Sequence, residues 1–258
     1  MDQAIIKAEQ YQPVTGRPLK QHALVLLVGL VYLIVVFWRD WITQVVLGFP
    51  QHLTVSYVEA HGTPQVFAAV LLRLPALVLL LLLLRRPHQH HLRQAVTMSL
   101  TPRLIIPVGI TIVITIFLNN SGLWPYPWRW PGSSIAAYMK ALADGGQWVG
   151  LALWLMLIGI VNPLLEEVVF RFGVLQIVRD TTRSNMLSIV TSSLSFAATH
   201  LGYLPPDRAH ILDSVWIFIV SLPLAWYTLR QDGNLTVPFL IHATFNVVAY
   251  VVLFTQLI

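Results

Sequence analysis

Residues Leu79 to Leu84 are six consecutive leucines, closing an apolar stretch that begins at Val66 and holds a single charged side chain, Arg73. Such a stretch is roughly 28 Å long as a helix, close to the thickness of a bilayer's hydrocarbon core. In that setting every backbone amide must be satisfied within the segment, so helix is the expected form. Further apolar segments run from Ala23 to Trp38, Leu104 to Leu118, Trp148 to Val161, Met186 to His200, Val215 to Leu229 and Val237 to Leu257. Only 10% of the 258 residues are charged, against about 25% in ordinary soluble domains. The expected fold is all-α: a polytopic membrane bundle of about seven to eight helices with a polar cavity inside the membrane.

The formal charge of +5 does not point to nucleic acid. Basic residues cluster at the ends of apolar segments, as in Arg85-Arg86-Pro87-His88-Gln89-His90-His91-Leu92-Arg93, where they set topology and meet anionic lipid. Lys7, Arg17 and Lys20 give residues 1–21 the character of a cytoplasmic leader. No small-residue cleavage pattern follows the first apolar run, which is expected to stay as the first span. Residues 22–144 are then N-terminal spans and loops, and residues 145–258 a C-terminal helical core within one integrated membrane domain. The stretch Trp124-Pro-Tyr-Pro-Trp-Arg-Trp-Pro131 is an interfacial loop by its aromatic content. Without cysteine there is no thiol chemistry.

Against this background, Pro163-Leu-Leu-Glu166-Glu167-Val-Val-Phe-Arg171-Phe-Gly173 stands out. Ionisable groups at membrane depth are costly and mark function by default. On a helix Glu167 and Arg171 share a face and can pair, while Glu166, rotated by roughly 100°, is left for chemistry. Asn162-Pro163 is expected to break the preceding helix, so that the glutamates occupy the first turn of a new one.

Two more polar pairs lie at i and i+4 in apolar segments: Phe196 with His200, and His242 with Asn246. A glutamate, a histidine and a His/Asn pair are the parts of a hydrolytic site. Glu166 can act as general base and then general acid. Neutral His200 can hold the attacking water, while His242 and the Asn246 amide can donate to a developing oxyanion. Arg171 would orient the carboxylates through Glu167.

Glu166-Glu167-x-x-x-Arg171, then Phe196-x-x-x-His200, then His242-x-x-x-Asn246 resembles the CPBP family of intramembrane proteases. That family includes the CAAX prenyl endopeptidases and bacterial relatives labelled abortive-infection or bacteriocin-processing proteins. The resemblance spans roughly residues 145 to 255 and implies matching roles for Glu166, His200, His242 and Asn246. It departs at Phe172, where many members have glycine directly after the arginine. It implies a peptide or membrane-anchored protein as substrate, in contact with membrane lipids, and a place in a bacterial cytoplasmic membrane.

No cofactor is favoured. Glu166, His200 and His242 are the set that would bind Zn²⁺, but there is no His-Glu-x-x-His helix and asparagine is a poor zinc ligand. Two other readings stay open: a non-enzymatic immunity or scaffold protein, and a small transporter using Glu and His as a proton relay. Simple alternation of spans leaves His200 about 25 Å beyond the turn at Arg183 and His242 near the opposite side. The three form one site only if the glutamate helix is re-entrant or the helices start at different depths.

Overall fold

The computed structural model describes residues 26–29, 31, 55–85, 93, 95–96, 104–121, 134–201 and 208–255. The leader, most of the first span, the basic loop after Arg85, the Trp/Pro stretch at 124–131 and the loop at 203–207 lie outside the described residues. Among those described there is no strand. The helices are α1 (Val55–Arg85), α2 (Ile105–Ser121), α3 (Ser134–Asp144), α4 (Trp148–Thr182), α5 (Asn185–Ala198), α6 (Arg208–Arg230) and α7 (Thr236–Thr255). Stretches of α1, α4 and α6 are long and apolar enough to cross a membrane, and α2, α5 and α7 contain shorter apolar runs. The protein is an integral membrane helical bundle.

Apolar residues face both ways, as expected of helices whose outer solvent is lipid. In α1, Leu80 and Leu83 are buried while Leu81 and Leu82 are exposed. Ala76, Leu80 and Leu83 pack with Leu165, Val168 and Phe172 of α4. Helix α2 lies along α7 and turns Ile105, Ile106, Val113 and Phe117 outward.

The expected break at Pro163 does not occur, because α4 continues through it. The chain changes register instead: Leu157–Val161 and Glu167–Val174 are π-helical, with a short α stretch, Asn162–Glu166, between them. A proline inside an α-helix clashes with the carbonyl four residues back and lacks an amide hydrogen. The wider π turn accommodates both before the proline is reached. Glu166 and Glu167 therefore sit in mid-helix, away from any helix N-terminus.

The helices also start at different depths. A left-handed Arg183 closes α4, and the Ser184 hydroxyl caps α5 by accepting from the Leu187 amide. Sixteen residues separate Glu167 from Arg183 and seventeen separate Arg183 from His200, so the hairpin returns His200 to the glutamate level. The turn before α7 does not reach that far. Gly233, with φ of +85°, packs against the side chain of Gln176, and the Leu235 amide donates to the Ala95 carbonyl. Nine residues separate Gln176 from Glu167, and nine separate Gly233 from His242. Starting α7 beside Gln176 is what brings His242 level with the glutamates.

Candidate active site

Glu167 and Arg171 are fully buried in α4, with Arg171 Nε 3.3 Å from Glu167 Oε2. Arg171 Nη2 also donates to Ser221 Oγ of α6 at 2.9 Å. Its guanidinium lies over the Phe196 ring, 4.6 Å from the centroid. An arginine fixed by carboxylate, hydroxyl and ring has few alternative positions. Glu167 Oε1 is thereby presented to α7.

There it meets His242, whose Nδ1 is 2.9 Å away. A carboxylate paired with arginine accepts hydrogen bonds, so Nδ1 carries a hydrogen and donates. The other nitrogen, Nε2, faces Glu166 Oε2 at 3.4 Å. One imidazole thus spans two adjacent carboxylates, tightly held by Glu167 and loosely facing Glu166.

His200 lies at the end of α5, its Nδ1 within 3.2 Å of the Phe196 carbonyl and 3.1 Å of Thr199 Oγ1. The Thr199 hydroxyl itself donates to that carbonyl. Nδ1 therefore holds the hydrogen and Nε2 the lone pair, the form able to accept a proton or a hydrogen bond from water. Phe196 joins the two histidines, with its ring T-shaped to His200 at 5.0 Å and to His242 at 5.6 Å between centroids. Ser192, one turn before Phe196, donates from Oγ to the Phe170 carbonyl at 2.6 Å and pins α5 to the π segment of α4.

Asn246 is one turn beyond His242, and its Nδ2 donates to the Ile158 carbonyl at 3.0 Å. The π register explains why that carbonyl needs a donor. The Asn162 amide bonds to the Leu157 carbonyl, five residues back. The next bond of that kind would run from residue 163 to Ile158, and Pro163 has no amide hydrogen. Asn246 supplies one. Close approach of α7 is possible because Gly159 has no side chain: a Cβ there would fall 2.5 Å from Val247 Cγ2.

Glu166, Glu167, Arg171, Phe196 and His242 are thus joined in one connected cluster, His200 is joined to it through Phe196, and Asn246 is turned to the α4 backbone. Among the described residues no three His, Asp or Glu side chains are grouped as a metal ion would require. Two contributors lay outside the sequence reading: Ser221, an ordinary serine in an apolar helix, and the Ile158 carbonyl. Ser192 is legible in the sequence only as one of the small hydroxyl residues, with Ser188, Thr191, Ser193 and Ser195, that suit a helix to close packing.

A family model described as Type II CAAX prenyl endopeptidase Rce1-like matches residues 148–248, the segment from the start of α4 to beyond Asn246. No curated protein and no solved structure matches the chain.

Proposed function

We propose, from the match of residues 148–248 to the Rce1-like model of type II CAAX prenyl endopeptidases, that this integral membrane protein hydrolyses a peptide bond in a peptide or membrane-anchored protein, using water activated by Glu166. The observation that supports the reading best is His242 held between Glu167 at 2.9 Å and Glu166 at 3.4 Å. Structural packing alone does not call for an imidazole shared by two carboxylates at membrane depth.

Water donates one hydrogen bond to Glu166 and the other to the Nε2 lone pair of His200. As its oxygen attacks the scissile carbonyl carbon, its proton passes to Glu166. The carbonyl oxygen becomes an oxyanion and takes hydrogen bonds from the second amide hydrogen of Asn246 and from Nε2 of His242, which donates when both ring nitrogens carry a hydrogen. The 3.4 Å contact between His242 Nε2 and Glu166 is loose enough for a substrate oxygen to compete for it. When the carbon–nitrogen bond breaks, Glu166 returns its proton to the leaving amine. Products are a carboxylic acid and an amine, which leave as carboxylate and ammonium once the second water proton has passed from the acid to the amine, with no covalent enzyme intermediate.

Glu167, Arg171 and Phe196 orient these groups. All steps use side chains and water, and the alternative Zn²⁺ set of Glu166, His200 and His242 is tested below by chelation. The expected setting is a bacterial cytoplasmic membrane with residues 1–21 on the cytoplasmic side, residues 22–144 as supporting spans and residues 145–258 as the catalytic core.

The test is mass spectrometry of membrane and secreted peptides from cells expressing wild type or Glu166→Gln at matched levels. Peptides cut only by wild type establish the activity and its cleavage site. Identical profiles overturn it in favour of a non-enzymatic membrane protein.

A further inference from the structure

Helix α1 presents a stripe of buried residues at alternating three- and four-residue spacing: Val66, Ala69, Arg73, Ala76, Leu80 and Leu83. Five are apolar. The sixth, Arg73, is 4% exposed and occupies a position where an apolar side chain would pack at least cost. Its Nε donates to Asn162 Oδ1 of α4 at 2.7 Å, and its Nη1 donates to the Ala69 carbonyl at 2.8 Å.

Asn162 is four residues before Glu166, and the stretch between them is regular α-helix, so both side chains lie on one face, one turn apart. The Arg73 guanidinium is therefore anchored one turn from the candidate base. Asn162 also lies at the junction between the π turn and Pro163, where the rotation of the following helix is set.

Among the described residues the buried charged side chains are Arg73, Glu166, Glu167 and Arg171, two of each sign. Arg171 pairs directly with Glu167. Two neighbouring carboxylates in a poorly hydrated bundle repel each other, and a second guanidinium anchored one turn away eases that repulsion beside the His242 contact at Glu166. We propose that Arg73 is a positioning residue of the hydrolytic site, holding Asn162 so that Glu166 faces His242 and supplying the second positive charge of the buried cluster. This inference rests on the hydrolytic reading above.

The experiment measures wild-type-dependent cleavage products by mass spectrometry in membranes containing wild type, Arg73→Met, Arg73→Lys, Asn162→Leu or Glu166→Gln at matched levels, with thermal unfolding recorded for each. Methionine fits an apolar stripe and removes the charge; lysine keeps it. Arg73→Met is expected to lower product yield about 100-fold, the scale of a displaced catalytic group, without a matching fall in unfolding temperature. Arg73→Lys is expected to restore at least about tenfold of that loss, because the cation remains although its fork of donors is gone. Arg73→Met cleaving like wild type, or Arg73→Lys no better than Arg73→Met, overturns the proposal. If Arg73→Met does not accumulate, Asn162→Leu decides, since it keeps Arg73 and removes its acceptor: a loss of about tenfold or more supports the role, and undiminished cleavage refutes it. Glu166→Gln cleaving like wild type would instead remove the hydrolytic reading itself, and this one with it.

Discussion

His242 Nδ1 lies 2.9 Å from Glu167 Oε1, on a carboxylate whose other oxygen is 3.3 Å from Arg171 Nε. The adjacent glutamates therefore have different tasks. Glu167 is fixed from both sides and holds the ring of His242 through Nδ1, whereas Glu166 meets the same ring through a longer contact. This division separates the consequences of substituting each.

Glu166→Gln keeps the shape of the side chain and removes its ability to take a proton. The rate is expected to fall by about 10² to 10⁴, the usual contribution of general acid–base catalysis, with thermal stability close to wild type. Initial rates of product formation at saturating peptide, beside an unfolding curve, check this. A variant within a few-fold of wild type would rule Glu166 out as the base.

Glu167→Gln is expected to cost stability as well as activity. It leaves the fully buried Arg171 without its carboxylate, and breaking a buried ion pair typically costs about 3 to 5 kcal/mol. Unfolding in detergent should therefore come at clearly lower temperature than for Glu166→Gln. Equal unfolding temperatures for the two variants would contradict the division of labour.

Chelation separates the water mechanism from a metal-bound one. Prolonged dialysis against a strong zinc chelator is expected to leave product formation unchanged, because the proposed steps use only side chains and water. Loss of activity restored by added Zn²⁺ would assign Glu166, His200 and His242 to a metal instead.

Much of this organisation is legible in the sequence, for reasons that can be named. Apolar runs announce helices because lipid leaves the backbone no other way to satisfy its amides. The Glu167/Arg171 pairing follows from four-residue spacing. Which face of each helix meets lipid does not follow, since Leu80 and Leu81 are chemically the same and packing alone buries one and exposes the other. The common depth of His200, His242 and the glutamates was hidden too, because it depends on Gly233 resting against Gln176 rather than on helix lengths. Pro163 misled for a local reason: a π turn absorbs the disruption that would ordinarily end the helix.

Gly159 tests how closely α7 must approach. The nearest atom to a new Cβ would be a valine methyl at 2.5 Å, and β-branched side chains have little rotamer freedom in a helix. Gly159→Ala should push α7 from α4 at a cost of roughly 1 to 3 kcal/mol, lengthening the bond from Asn246 to Ile158. Reduced cleavage with a lower unfolding temperature is expected. Unchanged values for both would mean that the contact is not needed.

Pro163 offers the sharpest separation of stability from function. In place of proline, alanine restores a backbone amide hydrogen that can bond to Ile158 or Gly159, and it removes a ring that costs a helix interior about 3 kcal/mol. The π turn ahead of it can then relax to ordinary α register. That would rotate Asn162 and Glu166 relative to His242 and remove the reason for Asn246 to reach the Ile158 carbonyl. Pro163→Ala is therefore expected to unfold at the same or a higher temperature than wild type while cleaving about tenfold to 100-fold more slowly. Unfolding temperature and initial cleavage rate, taken on the same preparation, decide it. Full activity in a protein of unchanged stability would show that the distortion of α4 has no part in placing the site, and a parallel loss of both would show that Pro163 supports the fold rather than the chemistry.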